Sequence, residues 1–178
     1  VAVSARPCSQ ISARPAGGRA LGALAGNTPT EVPLDLHLDR YAFVRGELNG
    51  TATDIVLDSG AGITVVDRAL ADQIGLHGGG DVKAKGVGGA ARSVKLGKAS
   101  LRVAGLELRD LTVAILDLSE VHERIGRPMP VILGKELFHA FTVTLDYPQR
   151  RLRVCAPGTF GVPADAVVCP TRALDDGH

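Results

Sequence analysis

From Val32 onward, apolar and polar residues alternate in short runs broken by turn formers, whereas the residues before it follow neither a helical nor a strand period. Tyr41–Leu48 reads as a strand. It is followed by Asn49-Gly50, a pair that tolerates the positive φ needed at both centre positions of a type I′ turn. Thr51–Leu57 returns as its partner and ends in the apolar run Ile55-Val56-Leu57. Asp67 is placed to cap a short helix over Arg68–Ile74, with Gly75 as the stop. Val82–Lys85 and Ser93–Leu96 read as the arms of a second hairpin with Gly86-Val87-Gly88-Gly89 at its tip. Leu101-Arg102-Val103 and Leu106-Glu107-Leu108 alternate around Gly105 as a third. Leu111–Leu116 and Val131–Leu133 are apolar strands, the second stopped by Gly134 and followed by a helix from Lys135 to about Ala140. Thr142–Tyr147 and Arg151–Val154 pair across Pro148-Gln149. Strands without long intervening helices predict an all-β domain.

These patterns divide the 178 residues into a leader or linker over 1–31, a folded domain over 32–155 and an irregular tail over 156–178. The first thirty residues hold three arginines, no acid and much Ala, Gly, Ser and Pro, the composition of a flexible segment. An acid-free, Arg-containing stretch also suits the remnant of a targeting segment. The chain opens on Val rather than Met, as expected of a processed or excised chain.

Composition narrows the function classes. A net charge of +1 gives no electrostatic case for nucleic acid or an anionic membrane as partner. No apolar run approaches the roughly 20 residues that span a bilayer, so a soluble protein is expected. Six aromatic residues and no Trp leave the core to Val, Leu, Ile and Ala. His37, His77, His122, His139 and His178 show no ligand spacing, and Cys8, Cys155 and Cys169 contain no C-x-x-C pair, so neither metal nor cofactor is expected. Gly86-Val87-Gly88-Gly89 has no accompanying Walker lysine or βαβ unit and is not read as a phosphate loop. Cys155 and Cys169 flank a Pro/Gly loop; a disulfide there requires an oxidising compartment, periplasmic or secreted, and the alternative is two free thiols. Arg150, Arg151 and Arg153 read as a basic stripe on a solvent face.

The candidate chemistry sits at Asp58-Ser59-Gly60-Ala61, where the apolar strand leaves the core. Asp, Ser and Gly are common turn formers, so the tripeptide alone describes a surface turn. Its companions change the reading. The strand into Asp58, the Gly-rich hairpin at residues 86–89 and the run Val131-Ile132-Leu133-Gly134-Lys135-Glu136-Leu137-Phe138 stand in the order of the retropepsin-like (retroviral-type) aspartic proteases, which this sequence resembles over about Val32–Val154. Val143–Tyr147 with Arg151–Val154 is similar to the end of bacterial members.

That resemblance implies a closed β-barrel, one half of an acid protease, with one or two short helices. It implies an aspartic endopeptidase with a polypeptide substrate, Asp58 as catalytic residue, and Ser59, Gly60, Ala61, Leu133 and Gly134 as supports. Ser59 would hydrogen-bond across a dimer, Gly60 would leave room beside the attacking water, and Ala61 would line the cleft. Leu133 and Gly134 would pack beneath the turn, and Gly86, Val87, Gly88 and Gly89 would form a flap over an extended peptide. Aspartic proteases share one proton between two close carboxylates, which supply base and acid together. This sequence has a single Asp-Ser-Gly, so a working site requires Asp58 of a second copy in a homodimer. A non-catalytic peptide-binding or dimerisation module, or one lobe of a longer two-lobed protease, remain the alternatives. Three positions depart from the family pattern: Gly62 replaces a polar residue, Pro130-Val131 stands in place of Asp-Gly, and Lys135 replaces an Arg that pairs near the viral dimer interface. Loss of the guanidinium fork predicts a weaker dimer.

Overall fold

The computed structural model describes residues 22–24, 30–85 and 91–170, with 22–24, 81–85 and 91–93 described by backbone alone. The strands are β1 (Gly22–Leu24), β2 (Thr30–Pro33), β3 (Asp35–His37), β4 (Tyr41–Leu48), β5 (Thr51–Leu57), β6 (Thr64–Asp67), β7 (Asp81–Lys85), β8 (Ala91–Val103), β9 (Leu106–Leu116), β10 (Val131–Leu133), β11 (Thr142–Asp146) and β12 (Arg151–Cys155). Three short helices complete the fold: α1 (Arg68–Gln73), α2 (Ser119–Ile125) and α3 (Lys135–Ala140). The all-β expectation holds, with α2 a helix the periodicity did not indicate.

Six strands close on themselves in the order β4-β5-β10-β6-β9-β8, and β8 returns to β4 through Gly46↔Val103 to Leu48↔Leu101. Closure leaves no free edge around the ring. β10 is the unusual member. It enters between β5, which it meets in parallel, and β6, which it meets antiparallel. The register pairs Ile55 with Val131 and Leu57 with Leu133, and all four point into the barrel core. The intervening pair Val56 and Ile132 points outward and packs with Phe43, Ile125 and Met129 under α2. A strict period of two on both strands therefore supplies two apolar layers from two runs of three consecutive positions.

The Asn49-Gly50 turn forms as its sequence dictates, with φ of 48° and 84°. The Asn49 side chain also accepts the Ser100 amide at 2.8 Å, and its own amide donates to the Ser100 carbonyl at 2.8 Å. Ser100 is the single β8 residue that faces a bulge of two β9 residues, Arg109 and Asp110, between the pairs Ala99↔Leu111 and Leu101↔Leu108. That bulge explains why the runs 93–96 and 101–103, read separately from sequence, are one thirteen-residue strand. β8 runs past the bulge, pairing with β9 on one side and with both β7 and β4 on the other.

Asp67 caps α1 through the Ala69 amide at 3.2 Å, while its other oxygen accepts the Leu118 amide at 2.9 Å. The stripe at Arg151 and Arg153 is not free surface charge. Both arginines meet Glu31 across the β12–β2 pairing, Arg153 at 2.7 Å. Within the span expected as a leader, Gly22–Leu24 pairs with β9, and Thr30 and Glu31 belong to the three-stranded sheet β11-β12-β2. Residues 156–170 contain neither helix nor strand. Cys155 is buried and Cys169 exposed, both as free thiols.

Candidate active site

β5 delivers Asp58 to the surface, and the backbone there is held from beneath. The Asp58 amide donates to the Leu133 carbonyl at 3.0 Å, which carries the parallel β5–β10 pairing one residue past the end of β5. The turn then closes on itself: Ala61 N–H donates to the Asp58 carbonyl at 3.1 Å, and Gly60 N–H to Asp58 Oδ1 at 2.9 Å. A methyl group on residue 60 would lie 3.3 Å from that same oxygen, so glycine leaves the carboxylate room. Asp58, Ser59, Gly60 and Gly62 are exposed, and Ala61 is half-buried.

The second apolar run lies directly below. Leu133 is fully buried in the core. Gly134 is also buried, and here the absence of a side chain is a steric need: a Cβ would meet the Ala61 carbonyl oxygen at 2.7 Å and the Ile63 carbonyl carbon at 2.9 Å. That close approach lets Lys135 N–H donate to the Ala61 carbonyl at 2.9 Å. The Lys135 backbone thus braces the turn.

Sequence reasoning missed two residues of this brace. Thr64 is 0% exposed. Its hydroxyl donates to Glu136 Oε2 at 3.0 Å, its amide donates to Glu136 Oε1 at 3.0 Å, and its oxygen accepts the Gly134 amide at 3.2 Å. The available signal was a lone hydroxyl in the run Ile63-Thr64-Val65-Val66 together with an acid in the first turn of α3. An acid at a helix start reads by default as a partner for the helix dipole, so the sequence alone gave no reason to pair the two.

Beside Asp58 the surface opens into a groove of about 370 Å³, lined by Arg40, Ala42, Leu57, Ser59, Phe138, Val143, Leu145 and Tyr147. Among the described residues, Asp58 is the only carboxylate in its lining. Gly86, Val87, Gly88 and Gly89 lie outside the described residues. Among the described residues no cluster of three or more His, Cys, Asp or Glu is placed to hold a metal ion, and no helix is long and apolar enough to cross a membrane.

On the outer face of β4 and β5, Arg127 lies over the Phe43 ring at 3.8 Å and bridges Asp35 at 2.6 Å and Asp54 at 3.2 Å. Arg45 holds the other Asp54 oxygen at 2.7 Å. Burial raises the Asp54 pKa, but hydrogen bonds from Arg45 and Arg127 and their charges outweigh it, so the net displacement is downward. This cluster ties the loop after α2 to β3, β4 and β5.

A closed barrel presenting one Asp-Ser-Gly turn, braced by a Val-Ile-Leu-Gly strand and a short helix, defines one half of an acid protease. The chain belongs to the aspartyl protease family, which matches residues 44–137, more than half of its length. The match contains the Asp58 turn and the Leu133-Gly134 run, and the retropepsin-like resemblance holds for family and fold. Similar solved structures include a retropepsin-like aspartic protease from Rickettsia conorii, 13% identical, TM-score 0.48, covering 71% of this chain and 90% of that one. Another is the retroviral protease-like domain of Ddi1 from Leishmania major, 16% identical, TM-score 0.42, covering 70% of this chain and 96% of that one. No curated protein matches the chain.

Proposed function

We propose that this protein is an aspartic endopeptidase that hydrolyses an extended polypeptide through a water activated by Asp58 and Asp58 of a second copy. One observation carries the reading. Asp58 is exposed in an open, mostly apolar groove, and its backbone is fixed to Leu133 at 3.0 Å and its carboxylate to Gly60 N–H at 2.9 Å. A carboxylate held rigidly yet left open to solvent suits a group that meets its partners outside the chain. With no second carboxylate lining the groove among the described residues, one copy supplies base or acid but not both, and a symmetric dimer restores the pair.

In this scheme the ionised Asp58 takes a proton from water as it attacks the scissile carbonyl. The protonated Asp58 of the other copy polarises that carbonyl and then protonates the leaving amine. Ser59 ties the two turns together across the axis, Gly60 leaves room for the water, and Ala61 lines the cleft. The segment at Gly86, Val87, Gly88 and Gly89 covers the bound strand and excludes water.

The test is peptide cleavage at mildly acidic pH by wild type, by Asp58→Asn and by mixtures of the two. Asp58→Asn abolishes cleavage while leaving the fold intact. Random pairing in an equal mixture leaves about one quarter of dimers with both carboxylates, so activity falls to about a quarter rather than a half. A strictly proportional fall, or an active Asp58→Asn protein, overturns the paired-carboxylate mechanism.

A further inference from the structure

We infer that Glu136 is a positioning residue for Asp58, acting through Thr64 and the peptide group that joins Leu133 to Gly134; this rests on the aspartic endopeptidase reading above. The connection is continuous. The two polar ends of the Leu133–Gly134 peptide point in opposite directions and are both used. Its carbonyl accepts the Asp58 amide at 3.0 Å, and its N–H donates to Thr64 Oγ1 at 3.2 Å. The orientation of that peptide sets where the Asp58 backbone sits.

What fixes the peptide is the direction of the Thr64 hydroxyl proton. A hydroxyl has one proton and can point it either way. Glu136 Oε2 takes it at 3.0 Å, which leaves a lone pair on Thr64 Oγ1 facing the Gly134 amide. The other oxygen, Oε1, accepts the Thr64 amide at 3.0 Å, so the carboxylate holds the residue by two donors at once. Only an ionised carboxylate accepts on both oxygens without offering a competing proton. Thr64 is fully buried, so no water substitutes for either bond without rearrangement. A chain of bonds in which each member polarises the next is stiffer than its separate links.

Glu136 reaches no substrate in this scheme, and its effect is confined to where Asp58 stands. A displacement of about 1 Å at a catalytic group costs on the order of 10²-fold in rate. The experiment compares Glu136→Ala, Glu136→Gln, Thr64→Val and Thr64→Ser with wild type, at a temperature where circular dichroism reports each as folded. Glu136→Ala and Thr64→Val are expected to lower kcat by roughly 10²-fold with KM little changed. Thr64→Ser keeps the hydroxyl and restores kcat, and Glu136→Gln, which keeps one acceptor, falls between. A loss of thermal stability in Glu136→Ala with kcat unchanged in the folded protein overturns the proposal, as does Thr64→Ser behaving like Thr64→Val.

A second readout needs no activity. Amide hydrogen exchange at Ala61, Thr64 and Gly134 is expected to accelerate in Glu136→Ala or, should that variant not fold, in Glu136→Gln, relative to the barrel amides. Unchanged exchange overturns the positioning role. Wild type that cleaves nothing while these amides respond to Glu136 defeats the protease reading and leaves the brace standing.

Discussion

The amide of Asp58 and the carbonyl of Leu133 meet at 3.0 Å, so the residue proposed to carry the chemistry is by its backbone the last member of a buried parallel strand pair. Its side chain is outside and its main chain is anchored to the core. Packing changes at residue 133 therefore reach the turn without touching it.

Leu133→Ala follows from this directly. The side chain is fully buried among the barrel residues, and its truncation is expected to cost about 3 kcal/mol, in the usual range for a core leucine. Urea denaturation measures the loss. Cleavage assayed well below the melting temperature is also expected to fall, because the carbonyl that holds Asp58 belongs to the residue that has lost its packing.

Gly134→Ala acts by a different route. Its methyl group would press on the Ala61 carbonyl oxygen at 2.7 Å and the Ile63 carbonyl carbon at 2.9 Å, both backbone atoms of the loop that follows Asp58. The loop must move outward, which is expected to cost about 2 kcal/mol and to remove most of the activity. Comparing the denaturant midpoint with kcat in this variant checks both effects.

Asp54 gives the molecule an acid-sensitive brace. Its pKa in the folded protein lies below its ordinary value of 3.8, because the Arg45 and Arg127 bonds outweigh burial. The unfolded chain therefore takes up the proton first as pH falls. The stabilisation is complete above about pH 4 and is lost as pH drops through the depressed folded value. Asp54→Asn is expected to be less stable than wild type at pH 6, by about 1 kcal/mol, with the gap closing toward pH 2. Denaturation curves at a series of pH values measure it. A gap independent of pH would remove the ion pairs as its cause.

Asn49→Ala removes two things together: a residue that tolerates φ of 48° and the oxygen that accepts the Ser100 amide at the bulge. A loss of about 1–2 kcal/mol is expected. Hydrogen exchange at Ser100 should rise with it, and a variant as stable as wild type would show that the bulge needs no cap.

Several elements were legible in the sequence because their causes are local. Asn49-Gly50 needs only its own φ preferences, Asp67 caps the helix that starts beside it, and the period of two in Ile55-Val56-Leu57 and Val131-Ile132-Leu133 declares two apolar faces. The order of Asp58-Ser59-Gly60 and the Leu133-Gly134 run was enough to place the chain in its family. Other features had no local cause. Ser93–Leu96 and Leu101–Val103 became one strand because Asn49, about fifty residues earlier in the chain, holds Ser100, the residue that faces the β9 bulge. Arg153 lost its appearance of free charge when β2 brought Glu31 alongside. Thr64 and Glu136 are 72 positions apart and were each ordinary in their own neighbourhood. The sequence by itself determined which residue carries the carboxylate and which strands flank it, since both follow from nearest-neighbour patterns. Only the tertiary structure decided what holds that carboxylate in place, because inserting β10 between β5 and β6 is what brings Leu133, Gly134 and Glu136 under the turn.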